Sequence, residues 1–172
     1  MPGSRHRSRK TVAAAGSAAF LVVAPGVVAG LIPWLLTGWL METSPLGVRI
    51  LGGLLIALGL GFLLHAFARF VVEGLGTPAP VAPTERLVIG GVYRYVRNPM
   101  YLAVGATIVG QALLLGQFAL LAYAAVFWAI VFGFVRLYEE PTLTEQFGER
   151  YDAYRRAVPG WLPRLHPWSG DD

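Results

Sequence analysis

The chain contains no cysteine, which excludes disulfides, thiolate metal sites and a cysteine nucleophile. Its three histidines, His6, His65 and His166, lie too far apart for metal-ligand spacing, so no metal is expected. Charge is also scarce. Only 14% of the 172 residues are charged, against about 25% in a typical soluble domain. A chain that is 55% hydrophobic has too little polar surface to cover a single soluble core. It therefore reads as an all-α integral membrane protein of one domain, residues 1–172. The net charge of +4 is assigned to basic loops at a membrane face, and no nucleic-acid partner is expected.

Residues 1–10 carry four Lys/Arg and no acid, and an uncharged run follows to Met41. A retained first span over about 12–32 is expected rather than a cleaved signal peptide, with a kink at Pro25 and with Pro33, Trp34 and Trp39 at the far interface. A second span is expected over about 47–72, so that 12–72 holds the first two. Gly52, Gly53, Gly59 and Gly61 permit close helix approach there. Residues 74–98 form a connection whose Pro78, Pro80 and Pro83 exclude a regular helix, and Leu87-Val88-Ile89 reads as a short strand or a surface loop. No charge occurs from Pro99 to Val135. That length holds a helical hairpin, 99–138, with spans at about 99–115 and 118–138 and a turn at Gly116-Gln117. Pro141 is expected to stop the last span. In the tail, 139–172, Leu143, Phe147, Tyr151, Tyr154 and Val158 recur every three or four residues, as in one amphipathic helix on an apolar surface.

About four transmembrane helices and a C-terminal amphipathic helix result. Eleven of the fourteen Lys/Arg fall in 1–10, 74–98 and the tail. The positive-inside rule then places both termini and those loops in the cytoplasm.

Two polar clusters interrupt the apolar sequence. The first, Gly91 to Tyr101, holds Arg94, Arg97, Asn98 and Tyr101. Asn98-Pro99 suits a plain helix start, an Asn N-cap followed by Pro at the first helical position, and the arginines suit lipid phosphates. A helix N-terminus flanked by arginines is equally an anion site. The second cluster is Glu139-Glu140, which could oppose a helix dipole. Two adjacent carboxylates beside a membrane also require a cationic partner, either Arg94, Arg97, Arg136 or a ligand. His65, Arg69 and Glu73 recur every four residues at the end of the second span. They form an i, i+4 ion pair or a substrate-contacting stripe. Gln111 reads as a helix–helix hydrogen bond.

Arg97-Asn98-Pro99-Met100-Tyr101, followed 42 residues later by Glu139-Glu140-Pro141-Thr142-Leu143, resembles the RHPxYxG…EExxL signature. That signature marks the integral membrane methyltransferases related to isoprenylcysteine carboxyl methyltransferase and phospholipid N-methyltransferases. The similarity spans roughly residues 47–160. Asn98 stands where that family has His, and Ala103 where it has Gly; an amide donates hydrogen bonds but does not act as acid or base.

The resemblance implies S-adenosylmethionine as cofactor, in a cytosol-facing pocket built from Arg94, Arg97, Asn98, Tyr101, Glu139 and Glu140. Arg97, Tyr101 and Glu140 are the catalytic candidates, and His65, Arg69 and Glu73 are candidates for substrate contact. The implied partners are the lipid bilayer and a lipidic or hydrophobic acceptor bearing a carboxylate or an amine. Transfer from a sulfonium requires chiefly alignment, so the absence of a triad or metal cluster does not oppose it. Competing readings are an NADPH-dependent membrane reductase of an isoprenoid or sterol-like substrate, with Arg94 and Arg97 on a nucleotide phosphate, and a non-catalytic membrane protein. Cofactor binding separates the three.

Overall fold

The computed structural model describes residues 23–74 and 86–170. The basic N-terminus, residues 12–22 of the expected first span, and the proline-rich stretch 75–85 lie outside the described residues. So does the side chain of Glu73. The described elements are α1 (Val23–Thr37), α2 (Leu46–Gly74), a short 3-10 helix (Gly91–Arg94), α3 (Pro99–Leu115), α4 (Phe118–Phe147) and α5 (Glu149–Ala157). No strand occurs among the described residues, and Leu87-Val88-Ile89 is a loop. The architecture is all-helical.

α2 and the 118–147 helix are long and apolar enough to cross a bilayer, whereas Val23–Thr37 and Pro99–Leu115 are apolar but shorter. The described residues thus carry two full-length spans where four were expected. Their outer faces are greasy: Leu54, Leu58, Phe62 and Ile130 are all more than half exposed. Such a surface suits lipid and not water.

The first helix corrects the expected boundary. It runs through Pro33 to Thr37 and ends at Gly38, which takes the left-handed conformation (φ 58°). Pro33 has no N–H to give the carbonyl four residues earlier, that of Ala29. The helix accommodates this with a π turn over Val27–Leu31, in which the Ile32 N–H bonds to Val27. The orphaned Ala29 carbonyl instead accepts from Gln111 Nε2 at 2.7 Å, and the Val28 carbonyl accepts from the Tyr123 hydroxyl at 2.8 Å. Gln111 is therefore an interhelical hydrogen bond, and its oxygen also accepts from Trp39 Nε1 at 3.2 Å.

α2 and α3 pack backbone to backbone. A methyl added to Gly52 would sit 2.6 Å from the Gly110 carbonyl oxygen, and one on Gly59 would sit 2.8 Å from that of Ala103. Gly52 and Gly59 are two turns apart and share a stripe, while Gly53 and Gly61 have nothing within 4 Å. Only half of the expected glycines thus line the seam. The α3–α4 side is joined by Trp128, whose indole lies over Gly105.

α4 also corrects the sequence reading. It does not stop at Pro141 but continues to Phe147. A π turn over Val135–Glu139 bonds the Glu140 N–H to Val135, and Pro141 then opens the next α-helical segment, where a missing N–H costs little. Gly148 (φ 54°, ψ −133°) breaks the chain, so the expected single amphipathic helix is two. Its apolar stripe survives the break: Leu143, Phe147, Tyr151, Tyr154 and Val158 share a cluster with Leu87 and Trp168.

These contacts give a differential prediction. Gly59→Val should cost about 1–3 kcal/mol through overpacking of the α2–α3 seam, lowering the melting temperature in detergent. Gly61→Val, two positions away, should leave it within experimental scatter.

Candidate functional site

The 3-10 helix begins at Gly91, whose φ of 57° suits glycine. There is also no room for a side chain: a methyl would lie 2.9 Å from Arg69 Nε and 3.1 Å from His65 Nε2. The expected stripe on α2 therefore brings His65 and Arg69 against the start of this segment. Buried Tyr93 follows and accepts through its carbonyl from the Tyr154 hydroxyl at 2.7 Å.

Arg97 is the hub. Its Nη1 donates to Glu140 Oε1 at 2.8 Å and to the Tyr151 hydroxyl at 3.0 Å, and its Nε donates to the Val158 carbonyl at 2.9 Å. The π turn rotates Glu140 inward, leaving its side chain 8% exposed, and Arg97 is 13% exposed. Arg136 Nη1 at 3.4 Å and Arg155 Nη2 at 3.5 Å approach the other oxygen of Glu140. One buried carboxylate thus faces three guanidinium groups. Glu139 has a different partner, accepting from the Tyr101 hydroxyl at 3.0 Å. Burial raises the pKa of the Tyr151 phenol, an effect the neighbouring Arg97 opposes and Glu140 reinforces. Burial raises that of Tyr154 as well. Both phenols are neutral hydrogen-bonding groups at ordinary pH.

Asn98 occupies the N-cap position of α3, with Pro99 at the first helical residue, but its side chain makes no capping hydrogen bond. Its Nδ2 is buried and has no hydrogen-bond partner. Buried amide donors are rarely left so.

A strap formed by the residues after α5 closes over this cluster. The Arg97 N–H donates to the Pro159 carbonyl at 2.9 Å, and the Asn98 N–H to that of Gly160 at 3.2 Å. A methyl on Gly160 would lie 3.2 Å from Arg97 Nη2 and 3.4 Å from Asn98 Nδ2. Trp161 then inserts among Tyr101, Trp128 and Phe132, with ring centroids 6.5, 5.6 and 6.0 Å away. Further along, the Arg94 Nε donates to the Trp168 carbonyl, and the Trp168 N–H donates to the Arg94 carbonyl at 3.0 Å.

Arg97, Asn98, Tyr101, Glu139 and Glu140 thus form one cluster. Arg94 is tied instead to the end of the strap, and His65 and Arg69 flank Gly91. Arg155, Tyr151, Gly160 and Trp161 belong to the site but were not singled out for it. Tyr151 sat in the amphipathic pattern and Arg155 only on its polar face, while the strap has no periodicity to betray it. No group of residues suited to a metal ion occurs among the described residues.

The buried pair yields a prediction. Glu140→Gln strands the Arg97 charge and should destabilise the protein by about 3–5 kcal/mol. Arg136→Gln removes an exposed partner and should cost less than about 1 kcal/mol. Thermal melts of both in the same detergent compare the two.

A relative in Schizosaccharomyces pombe, named Protein-S-isoprenylcysteine O-methyltransferase, is 31% identical over 125 residues, covering 72% of this chain and 50% of that protein. The chain thus spans about half the length of the curated relative it matches. No solved structure matches. The profile described as phospholipid methyltransferase matches residues 48–150, from α2 through the paired glutamates to the start of α5. With more than half its length covered by that match, including every residue of the Arg97–Glu140 cluster, the chain belongs to the phospholipid methyltransferase family.

Proposed function

We propose that the protein transfers a methyl group from S-adenosylmethionine to a lipidic or hydrophobic acceptor at one membrane face, with the Arg97–Glu139 cluster as the cofactor site. The observation that carries this reading is the buried, unpartnered Asn98 Nδ2 at the N-terminus of a 17-residue helix. That orphan donor, the positive end of the helix dipole and the Arg97 guanidinium together suit a carboxylate. Nearby, Glu139 accepts from the Tyr101 phenol and feels the Arg97 charge without a direct ion pair to it, which leaves its other oxygen to meet a cation. The donor set therefore fits a ligand bearing an ammonium and a carboxylate on one carbon. Gly160 completes the fit, because any side chain there would crowd both Arg97 and Asn98.

When bound, S-adenosylmethionine supplies an electrophilic methyl group on a sulfonium. Everything else in the reaction falls to this chain. Glu140, held by Arg97, Arg136 and Arg155, positions the Arg97 guanidinium and does not itself bind the ligand. Asn98 and Arg97 orient the carboxylate, and Glu139, fixed by Tyr101, holds the ammonium. Trp161, Trp128 and Phe132 exclude water on the bilayer side, since Phe132 is 56% exposed and faces lipid. Asn98 donates without exchanging a proton, which suits alignment chemistry that requires no base at this position. The basic segments around 86–97 and 150–164 favour a cytoplasmic setting for this face. The name of the yeast relative favours an isoprenylcysteine carboxylate as acceptor, and the family description favours a phospholipid.

Calorimetric titration with S-adenosylhomocysteine tests the reading. Saturable binding is expected, weakened about tenfold, or 1.4 kcal/mol, by Asn98→Leu and by Glu139→Gln, while NADPH gives no heat. Binding of NADPH alone, or undiminished affinity in both variants, would reject it.

A further inference from the structure

The strap between Trp161 and Trp168 has a feature that the candidate site does not use. Both tryptophans are pinned, Trp161 among three rings and Trp168 by the Arg94 backbone and the Tyr154 ring at 5.4 Å. Between them the Arg164 N–H donates to the Tyr95 carbonyl at 2.9 Å, and the Arg164 guanidinium donates to the Ala157 carbonyl at 2.9 Å. The turn is therefore held from inside. Its outward residues are mostly apolar: Leu162 is 79% exposed and Leu165 91% exposed, and Pro163 and Pro167 are also exposed. His166 is the one exposed polar side chain among them, able to stay at headgroup level.

The depth of this turn can be read from its neighbours. Pro163 lines a groove with Leu58 and Phe62 of α2, Tyr95 of the 3-10 segment, and Leu102 and Ala106 of α3. Leu58 and Phe62 belong to the span Leu46–Arg69 and are themselves more than half exposed. Phe62 lies seven residues, or about 10 Å along the helix axis, inside the Arg69 end. A turn that shares a groove with Phe62 and Leu58 lies at the depth of the acyl–headgroup boundary, not out in water. Residues 99, 102, 103 and 106 of α3 line this groove, whereas Tyr101 is turned about 100–160° away from each of them by the helix's 100° step. The groove and the cofactor cluster are thus on different faces.

We infer that residues 162–167 form an interfacial lipid-contacting loop, with Leu162 and Leu165 inserted among the lipid chains next to the outer face of α2. The occupant is the bilayer itself. The exposed apolar face of α2 reaches Pro163 through the shared groove, so the loop adjoins the lipid-facing surface of the span. Arg164 carries its charge back to the Ala157 carbonyl, away from the tip of the turn. Lipid contact then presses the strap onto Arg97 and Asn98. The strap's hold on the cluster is a property of the protein in a membrane.

The lack of cysteine makes the test direct. Leu162→Cys and Leu165→Cys, each carrying a nitroxide, are placed with the full chain in phosphatidylcholine–phosphatidylglycerol vesicles. Collision rates with molecular oxygen and a water-soluble nickel chelate are measured, using Glu149→Cys as the exposed aqueous reference and Leu58→Cys as the lipid reference. Oxygen-to-nickel ratios several-fold above the Glu149 value, approaching that at Leu58, are expected at both positions. Nickel accessibility equal to that at Glu149 would put the loop in water and overturn the inference. Low accessibility to both probes would mean that protein covers the loop, either another part of this chain or a second copy, and would overturn it equally.

Discussion

The Arg97 guanidinium is the point through which the described elements beyond the membrane spans are joined. It reaches Glu140 on α4, Tyr151 on α5 and the Val158 carbonyl at the start of the strap, while its backbone holds Pro159. A buried arginine is stable only with its donors satisfied and its charge balanced, so each of these partners must be in place at once. That requirement explains the π turn in α4. Without the extra residue, the side chain of Glu140 would point about 100° elsewhere around the helix, and Arg97 would lose its counter-charge. An irregular turn at the end of a span is here the means of delivering a carboxylate to a fixed point.

Legibility in the sequence divides along physical lines. Most of the hairpin was readable: Pro99 as a first helical residue, a turn at Gly116-Gln117, where Gly116 is left-handed at φ 72°, and an uncharged run between and beyond them, though not the end of the second helix at Phe147. The need of the acidic pair for a cationic partner was readable because buried like charges require an opposite one, but the choice among Arg94, Arg97, Arg136 and a ligand was not. Arg97 and Arg136 both reach Glu140, whereas Arg94 is bonded to Trp168. What failed was local extrapolation at prolines. Pro33 was placed at the far interface, just past the expected span, and Pro141 was read as a stop, yet both lie inside helices that run on beyond them, each preceded by a π turn. At Pro33 that solution depends on the tertiary donors Gln111 and Tyr123, which lie about 80 to 95 residues away. No window of sequence contains them. Gly148 was invisible for the opposite reason, since the apolar stripe continues across it as though the helix were unbroken.

The strap was the least legible element and bears most on the site. Its backbone carbonyls hold Arg97 and Asn98, and its Trp161 closes the aromatic side. None of this is encoded by periodicity; it follows from a lack of side chain at Gly160 and from two tryptophans spaced to reach separate pockets. The acidic pair likewise divides its labour in a way that adjacency hides. Glu140 is held by arginines while Glu139 accepts from a phenol, so neighbouring carboxylates of identical chemistry have different direct partners.

The glycine seam between α2 and α3 has a consequence for how the chain is made. α3 is 17 residues long, about 25 Å of helix, which falls short of a bilayer core of about 30 Å. It also carries Asn98, Thr107 and Gln111 into that environment, and so is a poor candidate to partition alone from the translocon. α2 is 29 residues long, is synthesised first, and presents Gly52 and Gly59 as a track on which the α3 backbone can settle. The short, partly polar α3 thus emerges when the Gly52–Gly59 track is already in place beside it, and a lesion at either glycine acts on α3 as much as on the helix that carries it.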